Sequence, residues 1–125
     1  MGIKALICVL LGGGVGSILR HVILTRVAFF QLLHVPVGTL FVNVFGSFLI
    51  GIFYALSSKM GLSDDTKLFL TTGLCGGFTT FSTFSYENMN LLKQNDFVSF
   101  ILYAGMSVLL CLAGVVIGYS LFSSK

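Results

Sequence analysis

Charge is what this sequence has least of. Only 9% of its 125 residues are charged, four are acidic, there is one proline and tryptophan is absent. A water-solvated domain covers its surface with about 25% charged residues. With 56% hydrophobic residues and a mean hydropathy of +1.03, the chain needs lipid as its main solvent. The basic residues are single and scattered, so a net charge of +3 does not build the clustered face of a nucleic-acid-binding surface. Cys8, Cys75 and Cys111 lie in apolar stretches without paired or metal-ligand spacing, which makes them small packing residues. No phosphate-binding glycine loop with a following Lys-Ser/Thr pair occurs, and no nucleophile, base and orienting group stand together. Nucleotide-driven transport and enzymatic chemistry therefore have no visible carrier.

What is present is a set of long uncharged runs: 5–19, 27–58, 68–86 and 97–124. Crossing a hydrocarbon core of about 30 Å takes roughly 20 helical residues. Three runs suffice alone, and the first suffices if it continues past Arg20, with that guanidinium facing protein or water. The expectation is an all-α membrane protein forming one four-helix domain, with transmembrane helices over 3–30, 37–58, 66–92 and 97–122. Reading Lys4 and the apolar stretch 5–11 as a cleavable signal peptide would leave the remaining glycines without a packing partner. The joints carry turn chemistry: the only proline at Pro36, Gly61 to Asp65, and the polar run Lys93 to Asp96.

Four spans put both termini on one side. Lys4, Lys59, Lys67 and Lys125 then oppose Arg20, Arg26 and Lys93, a near balance that gives little orientation by the positive-inside rule. Either copies insert both ways and pair head to tail about a two-fold axis in the membrane plane, or the N-terminal amine and Lys4 decide one orientation.

Several residues stand out against this apolar background. Gly12, Gly13, Gly14 and Gly16 permit close helix approach, and Arg20 either snorkels to headgroups or raises the anion potential of a water-filled vestibule. Asn43 is either an interhelical bond or a pore-lining donor. In helix 4, Tyr103, Ser107 and Cys111 fall at i, i+4 and i+8 on one stripe, while Gly105, Ala113, Gly114 and Gly118 mark a packing face.

Helix 3 holds the least ordinary stretch, from Thr71 to Ser85. Its three glycines and adjacent threonines weaken a continuous helix, predicting a break near its middle. A break at membrane depth frees carbonyls that can coordinate a cation. Beyond it, Phe78, Phe81 and Phe84 recur every three residues among the hydroxyls of Thr79, Thr80, Ser82, Thr83 and Ser85. Hydroxyl and amide hydrogens and phenyl edges are neutral partners of intermediate strength, suited to a small anion that must be met without being trapped. The plainer alternative is that the rings pack in the core or against lipid and the hydroxyls bond back to i−4 carbonyls. Glu87 continues the Phe84 face toward the membrane interface.

Three motifs, GGGVGSILR (Gly12 to Arg20), PVGTLFVNVFGSFLIG (Pro36 to Gly51) and GLCGGFTTFSTFSYE (Gly73 to Glu87), occur in the order in which they resemble the Fluc family of fluoride channels, also called CrcB proteins. The resemblance spans nearly the whole chain. It implies a fluoride-selective passive channel in the bacterial plasma membrane, built as an antiparallel, dual-topology homodimer of four-helix subunits. Phe81 and Phe84 would present ring edges to fluoride, Asn43 an amide donor, and Tyr103 and Ser107 a polar track, with Thr80 and Ser82 along the pathway. Arg20 matches the vestibule arginine and Glu87 the family's acid position. Thr39 and Cys111 give polar support, Cys111 standing where a serine can occur. The carbonyls of Gly76 and Thr79, from both subunits, would hold a structural sodium ion at the dimer centre. Fluoride, lipid and a second copy are the implied partners.

Two rivals remain. A small dual-topology multidrug transporter needs an ionisable acid within a span, yet helices 1, 2 and 4 have no Asp or Glu and Glu87 lies toward a helix end. A membrane assembly subunit without transport of its own requires none of the polar pattern.

Overall fold

The computed structural model describes residues 2–28 and 30–123. Helix α1 spans Ile3–Val27 and leads to a two-stranded antiparallel hairpin, β1 (Gln31–Leu32) and β2 (Val35–Pro36). Helix α2 is Val37–Met60. A short helix α3, Asp64–Leu68, runs into a π-helical stretch, Phe69–Cys75, and then one turn, α4, Gly76–Phe78. Helix α5, Phe81–Lys93, and helix α6, Phe97–Ser123, complete the fold.

Local sequence accounts for the joints. Leu33 takes the left-handed conformation at φ 54°, which closes the hairpin in two residues. Gly61 ends α2 in the same region at φ 59°, where a side chain would be strained, and its N–H bonds the Ser57 carbonyl. The Ser63 hydroxyl caps α3 by accepting from the Thr66 N–H at 3.2 Å. Asp96 caps α6 through the Ser99 N–H at 3.1 Å, while its other oxygen lies 2.7 Å from His34 Nδ1. The His34 bond, with those from Ser99, holds the Asp96 carboxyl below the usual carboxylate range. This contact ties the hairpin to the α5–α6 turn.

Helix α1 is shorter than expected: the helical stretch placed over 3–30 ends at Val27, and chain pairing takes over by Gln31. Phe29 lies outside the described residues, as does Lys125 from the charge count. The break in the third segment is present, with Thr79 and Thr80 extended (ψ 160° and 109°) between two helical pieces.

Three helices, α1, α2 and α6, are long and apolar enough to cross a membrane. Their outward faces carry Leu10, Ile18, Ile101, Leu109 and Val116, all exposed, whereas Thr39, Thr71, Thr80, Asn88, Ser99 and Ser107 are buried. This inversion of the water-soluble pattern marks an all-α membrane protein. Most polar groups inside find hydrogen-bond partners within the protein, with the Ser57 and Ser107 hydroxyls among the exceptions in the described residues, and the apolar side chains outside suit acyl chains.

With lipid as apolar as leucine, helix association depends on close backbone contact. Two glycine seams supply it. On one, α1 meets the π-helical stretch and α4: a Cβ on Gly16 would lie 2.8 Å from the Phe78 nitrogen, and one on Gly12 2.9 Å from the Leu74 nitrogen. On the other, α2 lies against α6, where a Cβ on Gly51 would come within 2.8 Å of the Tyr119 nitrogen. Each is a backbone contact that cannot swing aside. Gly16→Ala is accordingly expected to cost about 1–3 kcal/mol through overpacking. Gly14→Ala, with nothing within 4 Å, is expected to leave thermal unfolding in detergent unchanged; equal midpoints for the two variants would contradict the seam.

Candidate functional site

The break at Thr79–Thr80 organises the polar interior. Thr80 is extended, so its N–H and carbonyl leave the helical ladder, and at 6% exposure they are out of water's reach. Asn43, projecting from α2, meets both: its Oδ1 accepts from the Thr80 N–H at 2.7 Å and its Nδ2 donates to the Thr80 carbonyl at 3.1 Å. A carboxamide is the side chain that can satisfy a backbone donor and acceptor together. The second Nδ2 hydrogen has no partner among the described residues.

Arg20 reaches the break from the other side. Its guanidinium donates to the Thr79 carbonyl at 2.8 Å, replacing a donor lost at the C-terminal end of the helical run. Thr80 also opens α5: its hydroxyl accepts from the Thr83 N–H at 3.2 Å and lies 3.3 Å from the Ser82 hydroxyl. The Thr79 and Ser85 hydroxyls instead bond back to Cys75 and Phe81 carbonyls. The hydroxyls around the break thus divide between capping it and bonding back within their own helical pieces.

Against this break lies an open cleft of about 420 Å³. Asn43, Thr80, Phe81, Phe84 and Ser107 line it, with Gly76, Thr79 and Cys111 also on its wall. None of the described lining residues is Asp, Glu, Lys, Arg or His. Phe81 is 78% exposed, and its ring lies 5.5 Å from that of Phe84 at a 41° tilt. Phe84 in turn meets Tyr103 edge-on at 5.1 Å. The Ser107 hydroxyl is buried without a hydrogen-bond partner among the described residues, so it has both donor and acceptor capacity to offer a small guest.

Not every expected pathway residue lines this cleft. Tyr103 is wholly buried and its hydroxyl donates to Glu87 Oε2 at 2.6 Å. Thr39 donates to Glu87 Oε1 at 2.8 Å. These three residues, from α2, α5 and α6, form one hydroxyl–carboxylate cluster behind the Phe84 ring. Ser82 is exposed beyond the Thr80 cap. Sequence pattern placed Thr39, Glu87 and Tyr103 separately; the signal for joining them was that each is a polar residue facing inward from an apolar helix. The Arg20–Thr79 and His34–Asp96 contacts were not anticipated, since both link residues about sixty positions apart.

The Gly76 and Thr79 carbonyls suit a hard cation in donor type. Gly76 is exposed, and the Thr80 N–H that would close the helix onto its carbonyl goes to Asn43. Thr79 keeps one lone pair beside the Arg20 bond. Two carbonyls from one chain fall short of the six or so oxygens that such ions commonly take.

A membrane protein of packed helices, one of them interrupted beside a cleft of neutral donors and phenyl edges, belongs to the class of discontinuous-helix transport proteins. Residues 7–119 match the model of the family described as CrcB-like protein, Camphor Resistance (CrcB), and this chain is a member of that family. It is 46% identical over 115 residues to a protein of Phocaeicola vulgatus named Fluoride-specific ion channel FluC, covering 92% of this chain and 95% of that one. It is 42% identical over 120 residues to a protein of the same name from Campylobacter jejuni, covering 96% and 98%, and 43% identical over 120 residues to one from Bacteroides fragilis, covering 92% and 93%.

The Asn43–Thr80 pairing makes a separable claim. Asn43→Ala leaves two buried backbone groups unpaired, and a loss of about 1–3 kcal/mol of stability is expected, with faster amide exchange at Thr80. Unchanged Thr80 protection would show that the carboxamide does not close the break.

Proposed function

We propose that this chain is a passive fluoride channel of the bacterial plasma membrane that lets cytoplasmic fluoride leave the cell. The observation that carries the proposal is a cleft walled by hydroxyls, a carboxamide and phenyl rings, without a formally charged lining side chain among the described residues. The names of its relatives point the same way.

A small anion leaving water loses a strong hydration shell, and the wall must replace part of it. A full positive charge in contact would hold the ion too long to conduct. In this reading the free Nδ2 hydrogen of Asn43 and the Ser107 hydroxyl donate to fluoride, and Phe81 and Phe84 turn the positive rims of their rings toward it. Thr80 caps α5 so that the positive end of its dipole faces the same cleft. Tyr103, engaged with Glu87, acts by fixing the Phe84 edge. Arg20, held on the Thr79 carbonyl, contributes a nearby positive potential without contact. The negative-inside membrane potential, about 2.3 kcal/mol per charge per 100 mV, drives efflux without a pump.

In the assembly we propose, the interrupted segment from Asp64 to Lys93 is a fourth crossing, and two copies pair antiparallel. Gly76 and Thr79 are exposed or half-buried at the break, so an antiparallel copy could bring its own pair to meet them. The four carbonyls would hold a sodium ion, which supplies a fixed charge at the junction. Replacing sodium with N-methylglucamine is expected to lower the dimer's thermal midpoint, by up to about 2.7 kcal/mol of stabilisation at a hundredfold excess over Kd; identical melting in both salts would remove the ion from the account.

Fluoride-electrode recording from proteoliposomes tests the function. Fast fluoride efflux is expected, with chloride retained, and Phe81→Ile, Phe84→Ile or Asn43→Ala should slow it at least tenfold in dimers that still elute as one peak. Proton-coupled exchange of cationic drugs would identify a multidrug transporter instead, and wild-type rates in all three variants would leave a structural role only.

A further inference from the structure

The three cysteines have free thiols in unlike surroundings. Cys8, on α1, is not among the described residues that line the cleft beside the break. Cys75 lines it but is only 2% exposed. Cys111 also lines it and is half-buried. Helix α6 runs from Phe97 to Ser123, so at about 1.5 Å per residue Cys111 sits near its midpoint, at the depth of the bilayer interior.

A thiol at that depth, turned to acyl chains or packed in a core, stays protonated and inert, because the thiolate is the nucleophile and a charge in hydrocarbon is costly. The cleft changes both conditions. Ser107, Val108, Cys111 and Leu112 stand at i, i+1, i+4 and i+5, one face of α6, and that face forms part of the wall. The volume of about 420 Å³ is far above one water's share of the liquid, about 30 Å³, so solvent and a small reagent fit together. Ser107 is an independent sign of a guest. It is 6% exposed, its hydroxyl has no partner among the described residues, and it lies one turn from the thiol, where i and i+4 side chains are neighbours. Its hydrogen can stabilise a thiolate as it would any small anion. No Asp or Glu among the described lining residues opposes that charge, and Arg20, on the Thr79 carbonyl, adds positive potential to the region.

We propose that Cys111 is a thiol-modification site reached from water through this cleft, that it takes small anionic sulfenyl-transfer electrophiles of the thiosulfonate class in preference to cationic ones, and that the adduct obstructs the fluoride path. The thiolate sulfur attacks the sulfenyl sulfur of the reagent. A disulfide bond forms, the bond to the sulfonyl sulfur breaks, and a sulfinate leaves with the electron pair. The thiol proton goes to water, the cysteine is oxidised to the disulfide level and the thiosulfonate is reduced to sulfinate. Excess dithiothreitol removes the adduct by thiol–disulfide exchange. The obstruction rests on the fluoride reading, whereas the modification does not.

The site is tested by labelling purified full-length protein in phosphatidylcholine nanodiscs with sulfonatoethyl methanethiosulfonate and with its trimethylammonioethyl counterpart, each cysteine being read by non-reducing peptide mass mapping. Cys111 is expected to be modified while Cys75 is not. With each rate divided by that reagent's rate on mercaptoethanol, the anionic reagent should lead at Cys111 by about tenfold. In proteoliposomes the anionic reagent should cut fluoride efflux roughly tenfold against the same untreated sample, with dithiothreitol restoring it. Cys111→Ser, compared with its own untreated rate, should be insensitive. No anionic labelling of Cys111, equal labelling of Cys75, or a normalised rate for the cation at or above that of the anion would overturn the site. Full labelling with efflux unchanged, or an equal fall in Cys111→Ser, would overturn the obstruction. Untreated protein that passes no fluoride would overturn the channel reading and the obstruction with it, while labelling, measured without fluoride, still decides the site.

Discussion

Everything in the interior turns on one constraint: a backbone that leaves the helix in an oily environment must find new hydrogen-bond partners within the protein. Thr79 and Thr80 create that demand. Asn43 answers for the Thr80 N–H and carbonyl, and Arg20 answers for the Thr79 carbonyl. Each comes from a different long helix, so satisfying the break also fixes how α1, α2 and the interrupted segment sit relative to one another. Left unpaired, such groups would cost about 1–3 kcal/mol, a large fraction of the stability of a marginally stable fold.

Close packing is the other half of this arrangement. Arg20 reaches the break because Gly12 and Gly16 let α1 lie backbone to backbone on the π-helical stretch and α4. Asn43 reaches it because Gly46, one turn on along α2, leaves room for Thr79 and Phe78, the latter's ring 3.1 Å from where a Cβ would stand. Gly114 and Gly118 hold α6 against α2, which carries Ser107 and Cys111 to the cleft and Tyr103 to Glu87. The glycines at these contacts act as spacing between helices.

The helices and their solvent were legible because composition and long apolar runs depend only on local residues. The break was legible for the same reason, since glycines and threonines weaken a helix wherever they cluster. Its exact place was less so: the extended residues are Thr79 and Thr80, just past the glycines, where Asn43 from α2 meets the Thr80 N–H and carbonyl. For Asn43 the sequence left two roles open, an interhelical bond or a donor to a guest, and the geometry gives it the first with one hydrogen to spare. Of the packing face read on α6, Gly114 and Gly118 lie against α2, but a Cβ on Gly105 would meet nothing within 4 Å and Ala113 is exposed; of the polar stripe, Ser107 and Cys111 line the cleft and Tyr103 does not. The hairpin at Gln31 to Pro36 and the Thr39–Glu87–Tyr103 cluster escaped notice because they depend on pairings that no periodicity encodes.

Neutral groups on a cleft wall can offer an anion passage because they replace hydration without a charge to trap it. The most direct measurement is the reversal potential of current through planar bilayers containing the purified protein, with a fluoride gradient and symmetric chloride and pH. The account requires the potential to follow the fluoride equilibrium value as that gradient is varied. A potential that stays at zero, or that follows chloride or protons when their gradients are changed, would contradict it.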